Sequence, residues 1–238
     1  MNILLISGHG QGDCGACGNG YQEADLTREL VNTLSPILRK YANVDVFDTS
    51  KNMYEYLKSN KFDFTKYDYV IEIHFNAFDK KANGVEILVH SSEITYSVER
   101  LILENISAFG FKNRGVKPRS DLQNMNICKG SQGVSYALIE TCFIDNASDM
   151  KLYQSCKEDV AYAIAHGVVV GFGLSNTEVS NDTFTDIADC YGRKHINELA
   201  KMGVINGKGN GIFAPKESVT REDVAIMIRN AIKYITGK

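Results

Sequence analysis

Long apolar segments are missing from this sequence, and their absence excludes one class of protein. No run of residues approaches the roughly 20 consecutive apolar residues that a membrane-spanning helix requires. Residues 2–7 also lack the basic start and the apolar length of a secretory signal peptide. We therefore expect no membrane insertion, and we expect synthesis in the cytosol.

An excess of charge of either sign is also missing. The formal net charge is −3 over 238 residues, which gives no electrostatic reason to propose nucleic acid as a partner. Hydrophobic residues make up 44% of the chain and charged residues 23%, which is typical of a protein with a packed core.

Paired cysteine motifs of the kind that hold structural zinc are not present. The chain has six cysteines, and Cys14-x-x-Cys17 is a single pair, whereas a zinc ribbon needs two such pairs at the right spacing. Because we expect synthesis in the cytosol, we interpret all the cysteines as reduced thiols. A structural zinc or a redox role for this pair is the less favoured alternative on the sequence.

Residues 1–174 alternate between strand and helix patterns. Residues 3–6 form a continuous apolar run, which is typical of a strand buried on both faces. Further strands are predicted near 44–47, 69–74, 84–89 and 136–142, separated by segments with helical spacing of apolar residues. This alternation predicts an α/β fold, with a largely parallel twisted sheet flanked by helices. Residues 112–135 show little periodicity and are predicted to form a surface loop near the site.

The composition changes at residues 175–182, a polar stretch that we interpret as a linker. Residues 183–238 then contain two helical patterns, which predict a small, mainly helical C-terminal domain. A segment this short buries little apolar surface and would be marginally stable alone. We expect it to dock, to dimerise or to have another source of stability.

Three polar side chains stand at or just after the ends of predicted strands, namely His9, His74 and Glu140. The carboxyl ends of parallel strands meet at one edge of a sheet, so these side chains should lie close together. A glycine-rich loop follows His9 and leads to Glu23 at the start of a helical pattern. Glycine tolerates tight turns, so the loop can return Glu23 to the same edge.

Two histidines, one carboxylate and an open fourth position form a known catalytic zinc arrangement. We predict that His9, Glu23 and His74 bind zinc, and that Glu140 acts as general acid and base. A single histidine is more often a hydrogen-bonded core residue, but the convergence of four such groups favours a metal site. This chemistry predicts a zinc-dependent amide hydrolase.

Glu72 lies on the same strand face as His74 by strand alternation. We interpret Glu72 either as a residue that supports His74 or as a member of a buried ion pair.

Several segments resemble the zinc-dependent N-acetylmuramoyl-L-alanine amidases, in the order of that family. They are Ser7-Gly8-His9-Gly10, Glu23, Ile73-His74-Phe75-Asn76-Ala77, Asn83-Gly84-Val85-Glu86 and 138–146. These enzymes cleave the amide between N-acetylmuramic acid and L-alanine of the peptidoglycan stem peptide. The resemblance covers residues 1 to about 174, with His9, Glu23 and His74 as zinc ligands and Glu140 as the catalytic glutamate. We read Glu86 as a support or rim residue.

The C-terminal segment resembles one S-layer homology repeat. The segments that carry this likeness are 184–187, 196–199, 203–207, 213–215 and 219–223. The resemblance implies binding to a secondary polymer of the bacterial wall, with Thr220 and Arg221 in the binding motif. Such repeats usually occur in threes, so a single copy would need to associate into a homo-oligomer to build the site.

An amidase without a signal peptide, joined to a wall-binding module, resembles phage endolysins. That likeness implies synthesis in the host cytoplasm and action on the wall after release through holin pores. Three alternatives remain open on the sequence. They are a zinc carboxypeptidase or endopeptidase acting within the stem peptide, a non-catalytic wall-anchoring protein, and a host autolysin.

Overall fold

The computed structural model describes residues 1–10, 12–174, 182–188 and 190–237. The chain divides into two compact units, Met1–Leu174 and Ser175–Lys238. The predicted linker 175–182 lies, apart from Asp182, outside the described residues. Within the described ranges, no helix is both long enough and apolar enough to cross a membrane.

The first unit is built on a six-stranded sheet with the strand order β4-β1-β5-β8-β6-β7. A small separate hairpin, β2 with β3, lies in the loop after β1. Only the β6/β8 pair is antiparallel among the named strands of the sheet, so the prediction of a largely parallel sheet is confirmed. The strands are β1 (Asn2–Ser7), β2 (Cys17–Gly18), β3 (Tyr21–Gln22), β4 (Asn43–Val46), β5 (Tyr69–Asn76), β6 (Val85–His90), β7 (Asn113–Arg119) and β8 (Ser135–Phe143).

Helices cover both faces of this sheet, as predicted. Along β1, Ile3 and Leu5 pack into an apolar cluster with α1, α3 and α5, whereas Leu4 and Ile6 pack on the opposite face with α2. Alternate residues of a strand point to opposite faces, so the apolar run of β1 is buried on both sides. The helices of this unit are α1 (Glu23–Leu38), α2 (Met53–Ser59), α3 (Ser97–Ser107), α4 (Gln123–Met125) and α5 (Ala147–Gly171).

Helix α5 begins directly after the strand that carries Glu140. Asn146 caps it, accepting hydrogen bonds from the backbone N–H groups of Ser148 and Asp149 at 2.9 and 3.1 Å. Cys156 has non-helical torsion angles inside α5 (φ −140°, ψ 22°). This interruption divides α5 into two helical segments.

The prediction of a surface loop over residues 112–135 is wrong. Strand β7 pairs with β6 at the edge of the sheet, and α4 leads into a π-helical turn at Asn126–Ser131. The sequence of β7, NRGVKPR, contains one aliphatic residue, Val116, and its residues are half-buried or exposed. An edge strand of this kind lacks the apolar alternation from which strands are recognised.

The second unit contains α6 (Arg193–Lys201) and α7 (Arg221–Thr236), so its predicted helical character is confirmed. Before α6, the Asp186 carboxylate accepts hydrogen bonds from the backbone N–H groups of Phe213 and Ala214, at 2.9 and 2.7 Å. These bonds join the segment before α6 to the segment between α6 and α7. No described residue of α7 is fully buried within this unit.

Candidate metal centre

The loop after β1 turns sharply around His9. His9 has a φ of 60° and Gly10 a φ of 99°, both in the left-handed region, which is sparsely populated for residues other than glycine. Arg28, on α1, holds this turn by donating to the carbonyl oxygens of Gly8 and His9 at 3.1 and 2.9 Å. A methyl group at Gly8 would lie 2.4 Å from the His74 ring, so only glycine allows the turn to approach that side chain.

His9, Glu23 and His74 converge at the predicted edge of the sheet. Glu23 Oε2 lies 3.1 Å from His9 Nε2, and Glu23 Oε1 lies 2.9 Å from His74 Nδ1. One ligand atom from each residue lies within 4.8 Å of the others. The glycine-rich loop therefore returns Glu23 to His9, and β5 brings His74 to both.

Glu23 is the first residue of α1 and is only 3% exposed. Its carboxylate also accepts hydrogen bonds from the backbone N–H groups of Phe75 and Ala16, both at 2.9 Å. Burial by itself raises the pKa of Glu23, but hydrogen bonds from His74 and His9 outweigh burial and hold it well below the usual range. Glu23 is thus a buried anion at neutral pH.

Each histidine has a second carboxylate on its other ring nitrogen. Asp13 Oδ2 lies 2.8 Å from His9 Nδ1, and Glu72 Oε1 lies 3.2 Å from His74 Nε2. Burial would lower the pKa of His74, but Glu23 and Glu72 on either side raise it well above its ordinary value. Carboxylate partners of this kind fix the tautomer and the ring orientation of histidines that bind metals.

Glu72 is itself held in a buried network. Only 4% of Glu72 is exposed, and its carboxylate accepts hydrogen bonds from the Tyr136 hydroxyl and, at 3.1 Å, from Asn124 Nδ2. The sequence predicted that Glu72 and His74 share a strand face, but it did not predict that Tyr136 and Asn124 donate hydrogen bonds to Glu72. The contact between Asp13 and His9 was also missed, although their separation of four residues in a tight loop was a usable signal.

This donor set fits a divalent cation. Zinc bonds to imidazole nitrogen and carboxylate oxygen are about 2.0–2.2 Å long, so neighbouring donors of one ion lie about 3–4 Å apart. The measured N–O separations of 3.1 and 2.9 Å lie near the short end of that range. With neutral imidazoles, the buried carboxylates of Glu23 and Glu72 would leave net negative charge, which a bound cation would neutralise.

Glu140 stands beside this cluster, on β8. It pairs in register with His74 on β5 and with Glu86 on β6. Burial, together with the nearby negative charges of Glu23 and Glu86, raises the pKa of Glu140 to about 7, although His74 acts in the opposite direction. Its Oε2 atom is buried and has no hydrogen-bond partner among the described atoms. Glu140 thus places a carboxyl oxygen without a partner next to this cluster.

Glu86 is engaged with cations on the edge strand. Its carboxylate accepts hydrogen bonds from Arg114 Nε at 2.7 Å and Lys117 Nζ at 2.6 Å, and from Asn76 Nδ2 at 3.0 Å. This pairing agrees with the interpretation of Glu86 as a support residue. Arg114 and Lys117 were missed by the sequence analysis because they lie on β7, which it read as a loop.

Thr220 and Arg221, the predicted wall-binding residues, lie at the start of α7. The Thr220 side chain caps the helix in a capping box with Asp223. Arg221 is the first residue of the helix and is exposed.

Comparison with known families decides where the chain belongs. Residues 3–169 match the family model described as N-acetylmuramoyl-L-alanine amidase. The chain belongs to the N-acetylmuramoyl-L-alanine amidase family. Residues 183–225 of this amidase-family chain match the S-layer homology domain.

Curated relatives include a protein named as a probable autolysin and one named as an amidase, from two bacteria. The chain is 30% identical over 266 residues to "Probable autolysin PH" of Staphylococcus aureus (strain NCTC 8325 / PS 47), with 98% of this chain and 54% of that protein covered. It is 30% identical over 178 residues to N-acetylmuramoyl-L-alanine amidase LytC of Bacillus subtilis (strain 168), with 71% of this chain and 35% of the relative covered. The amidase-family chain thus spans about half of the first relative and about a third of the second.

A solved structure has the same fold in the first unit. The catalytic domain of the CD27L endolysin, described as targeting "Clostridia Difficile", aligns with a TM-score of 0.60 at 26% identity. That alignment covers 71% of this amidase-family chain and 97% of the endolysin domain. The predicted fold class is thereby confirmed.

Proposed function

We propose that this protein is a zinc-dependent peptidoglycan amidase. Its substrate would be the amide between N-acetylmuramic acid and L-alanine of the stem peptide. The observation that carries the proposal is the convergence of His9, Glu23 and His74 beside Glu140, a half-buried residue whose carboxyl group has one buried oxygen without a partner among the described atoms. Membership of the amidase family supports the choice of this amide over others.

His9, Glu23 and His74 would hold the metal, and a zinc ion bound there activates water and polarises a carbonyl group. Glu140 takes the proton of the attacking water and delivers it to the nitrogen of the departing L-alanine amine. Without metal, burial and the charges of Glu23 and Glu86 raise the pKa of Glu140 to about 7. A bound cation would lower this pKa and favour the carboxylate form, which is the form that takes the proton from water.

Glu72 and Asp13 would orient the two imidazoles. Each carboxylate binds the ring nitrogen that faces away from Glu23, which leaves the other nitrogen directed towards the metal. This arrangement holds each ring in the tautomer that binds a cation.

Replacing Glu72 by glutamine is expected to weaken zinc binding about 10- to 100-fold, because the amide no longer fixes the His74 ring as the carboxylate does. The measurement is zinc affinity by competition with a coloured chelator. Glu99→Gln is the matched control, since Glu99 is also buried and accepts a 2.6 Å hydrogen bond from a tyrosine, Tyr69. Equal zinc affinity in Glu72→Gln and Glu99→Gln would refute a positioning role for Glu72.

Product analysis distinguishes the proposed amide from the other bonds of the stem peptide. Purified walls digested by the full chain should yield released stem peptides with a new N-terminal L-alanine and no new reducing sugar. A zinc carboxypeptidase or endopeptidase would instead shorten stem peptides that stay attached to the glycan. A non-catalytic wall-anchoring protein would release neither product.

For the C-terminal unit, we propose binding to a secondary wall polymer through Thr220 and Arg221. The match of residues 183–225 to the S-layer homology domain supports this role. Several chains would associate so that repeats from different copies complete one binding site.

Replacing Arg221 by alanine is expected to reduce the fraction of protein that sediments with purified walls about 10-fold or more, because a charged contact to the polymer is lost. Arg229→Ala is the control, because Arg229 is an exposed arginine of the same helix. Equal sedimentation of the two variants would argue against Arg221 as a polymer contact.

We also propose that the protein acts as an endolysin, made in the host cytoplasm and released to the wall. Similarity to the endolysin of Bacillus phage SPP1, 29% over 179 residues, supports this proposal. Similarity to a staphylococcal protein named as an autolysin favours a host role instead.

Production of the full chain in the cytoplasm of a host cell tests the endolysin proposal. Lysis of the cells should follow only when the membrane is permeabilised. Lysis of cells with intact membranes would contradict it.

A further inference from the structure

The glycine-rich loop carries two thiols beside the metal centre that the proposed reaction does not use. Cys14 and Cys17 are both exposed, and their Sγ atoms lie 3.4 Å apart, with the Cys17 thiol donating to Cys14. A disulfide requires the sulfur atoms to approach to about 2.05 Å, so a small movement within this loop would join them.

The backbone between the two thiols forms a wall of the metal centre. The Ala16 N–H donates to Glu23 Oε2 at 2.9 Å, and the Glu23 N–H donates back to the Ala16 carbonyl at 2.9 Å. The Ala24 N–H donates to the Cys14 carbonyl at 3.1 Å. Any change in the Cys14–Cys17 segment is therefore transmitted directly to a predicted metal ligand.

Gly15 places the same segment against a second predicted ligand. A methyl group at Gly15 would lie 2.7 Å from both Glu23 Oε2 and the His9 ring, so the backbone touches both side chains. The Gly15 N–H donates to Asp13 Oδ1 at 2.9 Å, while the other oxygen of Asp13 contacts His9. The two cysteines thus lie on either side of Gly15 and Ala16, the residues whose backbone contacts His9 and Glu23.

We propose that Cys14 and Cys17 form a dithiol–disulfide site whose oxidation tightens metal binding. The oxidant is a small-molecule disulfide. One cysteine thiolate attacks it and forms a mixed disulfide, with release of one small thiol. The second cysteine thiolate attacks the protein sulfur of that bond, which forms Cys14–Cys17 and releases the second small thiol. Two protein thiols are oxidised, one small disulfide is reduced, and both protons pass to the released thiols.

Oxidation should strengthen zinc binding because the reduced loop already holds the sulfur atoms close together in the conformation that forms the site. A covalent link removes conformations in which Ala16 moves away from Glu23, and preorganisation of this kind lowers the cost of binding. The zinc dissociation constant of the oxidised chain is expected to be about 10-fold lower than that of the reduced chain. This part of the inference rests on the proposed zinc site.

The test uses the full chain, equilibrated without zinc in buffers of oxidised and reduced glutathione. After free thiols are blocked, intact-mass measurement and peptide mapping should show a species about 2 Da lighter, with its bond between Cys14 and Cys17. Zinc affinity is then compared between the two forms. The variant with both Cys14→Ser and Cys17→Ser should show no redox dependence of zinc affinity, whereas Cys156→Ser should behave as the unmodified chain.

Glutathione adducts without the intramolecular bond, or a bond between other cysteines, would overturn the inference. Unchanged or weaker zinc binding in the oxidised chain would overturn it as well. If neither form binds zinc, the proposed function fails together with this coupling. If the reduced chain binds zinc and releases stem peptides but no Cys14–Cys17 bond forms, only the thiol inference fails.

Discussion

Replacing Glu140 by glutamine is expected to lower the rate of stem-peptide release about 10²- to 10⁴-fold, while zinc stays bound. The amide of glutamine has nearly the shape of the carboxyl group but cannot take a proton from water and return it to the leaving amine. Glu140 lies next to the three predicted ligands and is not one of them, so the metal site should remain intact. The loss should therefore appear in the rate of hydrolysis and not in metal content.

Two measurements on the same preparation separate these effects. Zinc per chain is measured by atomic emission, and peptide release is measured as new N-terminal alanine from purified walls. Glu99→Gln, which removes a buried carboxylate on α3, should keep both values close to those of the unmodified chain. If Glu140→Gln releases stem peptides at the unmodified rate, Glu140 is not the general acid and base.

Replacing Glu23 by alanine is expected to remove bound zinc and, with it, nearly all activity. Glu23 is the anionic member of the donor set and lies within hydrogen-bonding distance of both histidines. Two imidazoles alone leave the ion without a charged ligand and with an incomplete coordination shell. Zinc content should fall from one ion per chain to a small fraction of that value after dialysis.

The same substitution should destabilise the first unit. Alanine leaves the buried backbone N–H of Phe75 without its acceptor, which costs about 1–3 kcal/mol of unfolding free energy, and the half-buried N–H of Ala16 also loses its acceptor. Circular dichroism and urea unfolding check that the variant is still folded at the temperature of the zinc measurement. Glu29→Ala is the matched control, since Glu29 lies on the same helix but its side chain is 40% exposed and pairs with Lys157. Zinc retention by folded Glu23→Ala would remove Glu23 from the ligand set.

The convergence of His9, Glu23 and His74 could be anticipated from the sequence because a strong local pattern placed each of these residues. The apolar run before His9 marks a buried strand, and the strands before His74 and Glu140 carry the same signal. The carboxyl ends of parallel strands meet, and the glycines allow Glu23 to return to His9. The structure brings His9, Glu23 and His74 together as these patterns imply.

The partners of those residues could not be anticipated in the same way, because they depend on contacts between distant segments. Tyr136 and Asn124 reach Glu72 from β8 and α4, which lie more than 50 residues further along the chain. Arg114 and Lys117 reach Glu86 from β7, an edge strand without apolar alternation. A sequence pattern reports burial and local geometry, and it carries little information on which polar groups meet across a sheet.

The most direct test of the proposed zinc-dependent amidase activity is a zinc titration of the metal-free full chain on purified walls. Zinc is removed with a chelator, added back in known amounts, and the release of peptides with N-terminal L-alanine is followed. We expect no release without metal, full release at one zinc per chain, and no recovery in Glu23→Ala. Release of the same peptides by the metal-free chain, or new reducing sugar in place of N-terminal alanine, would contradict it.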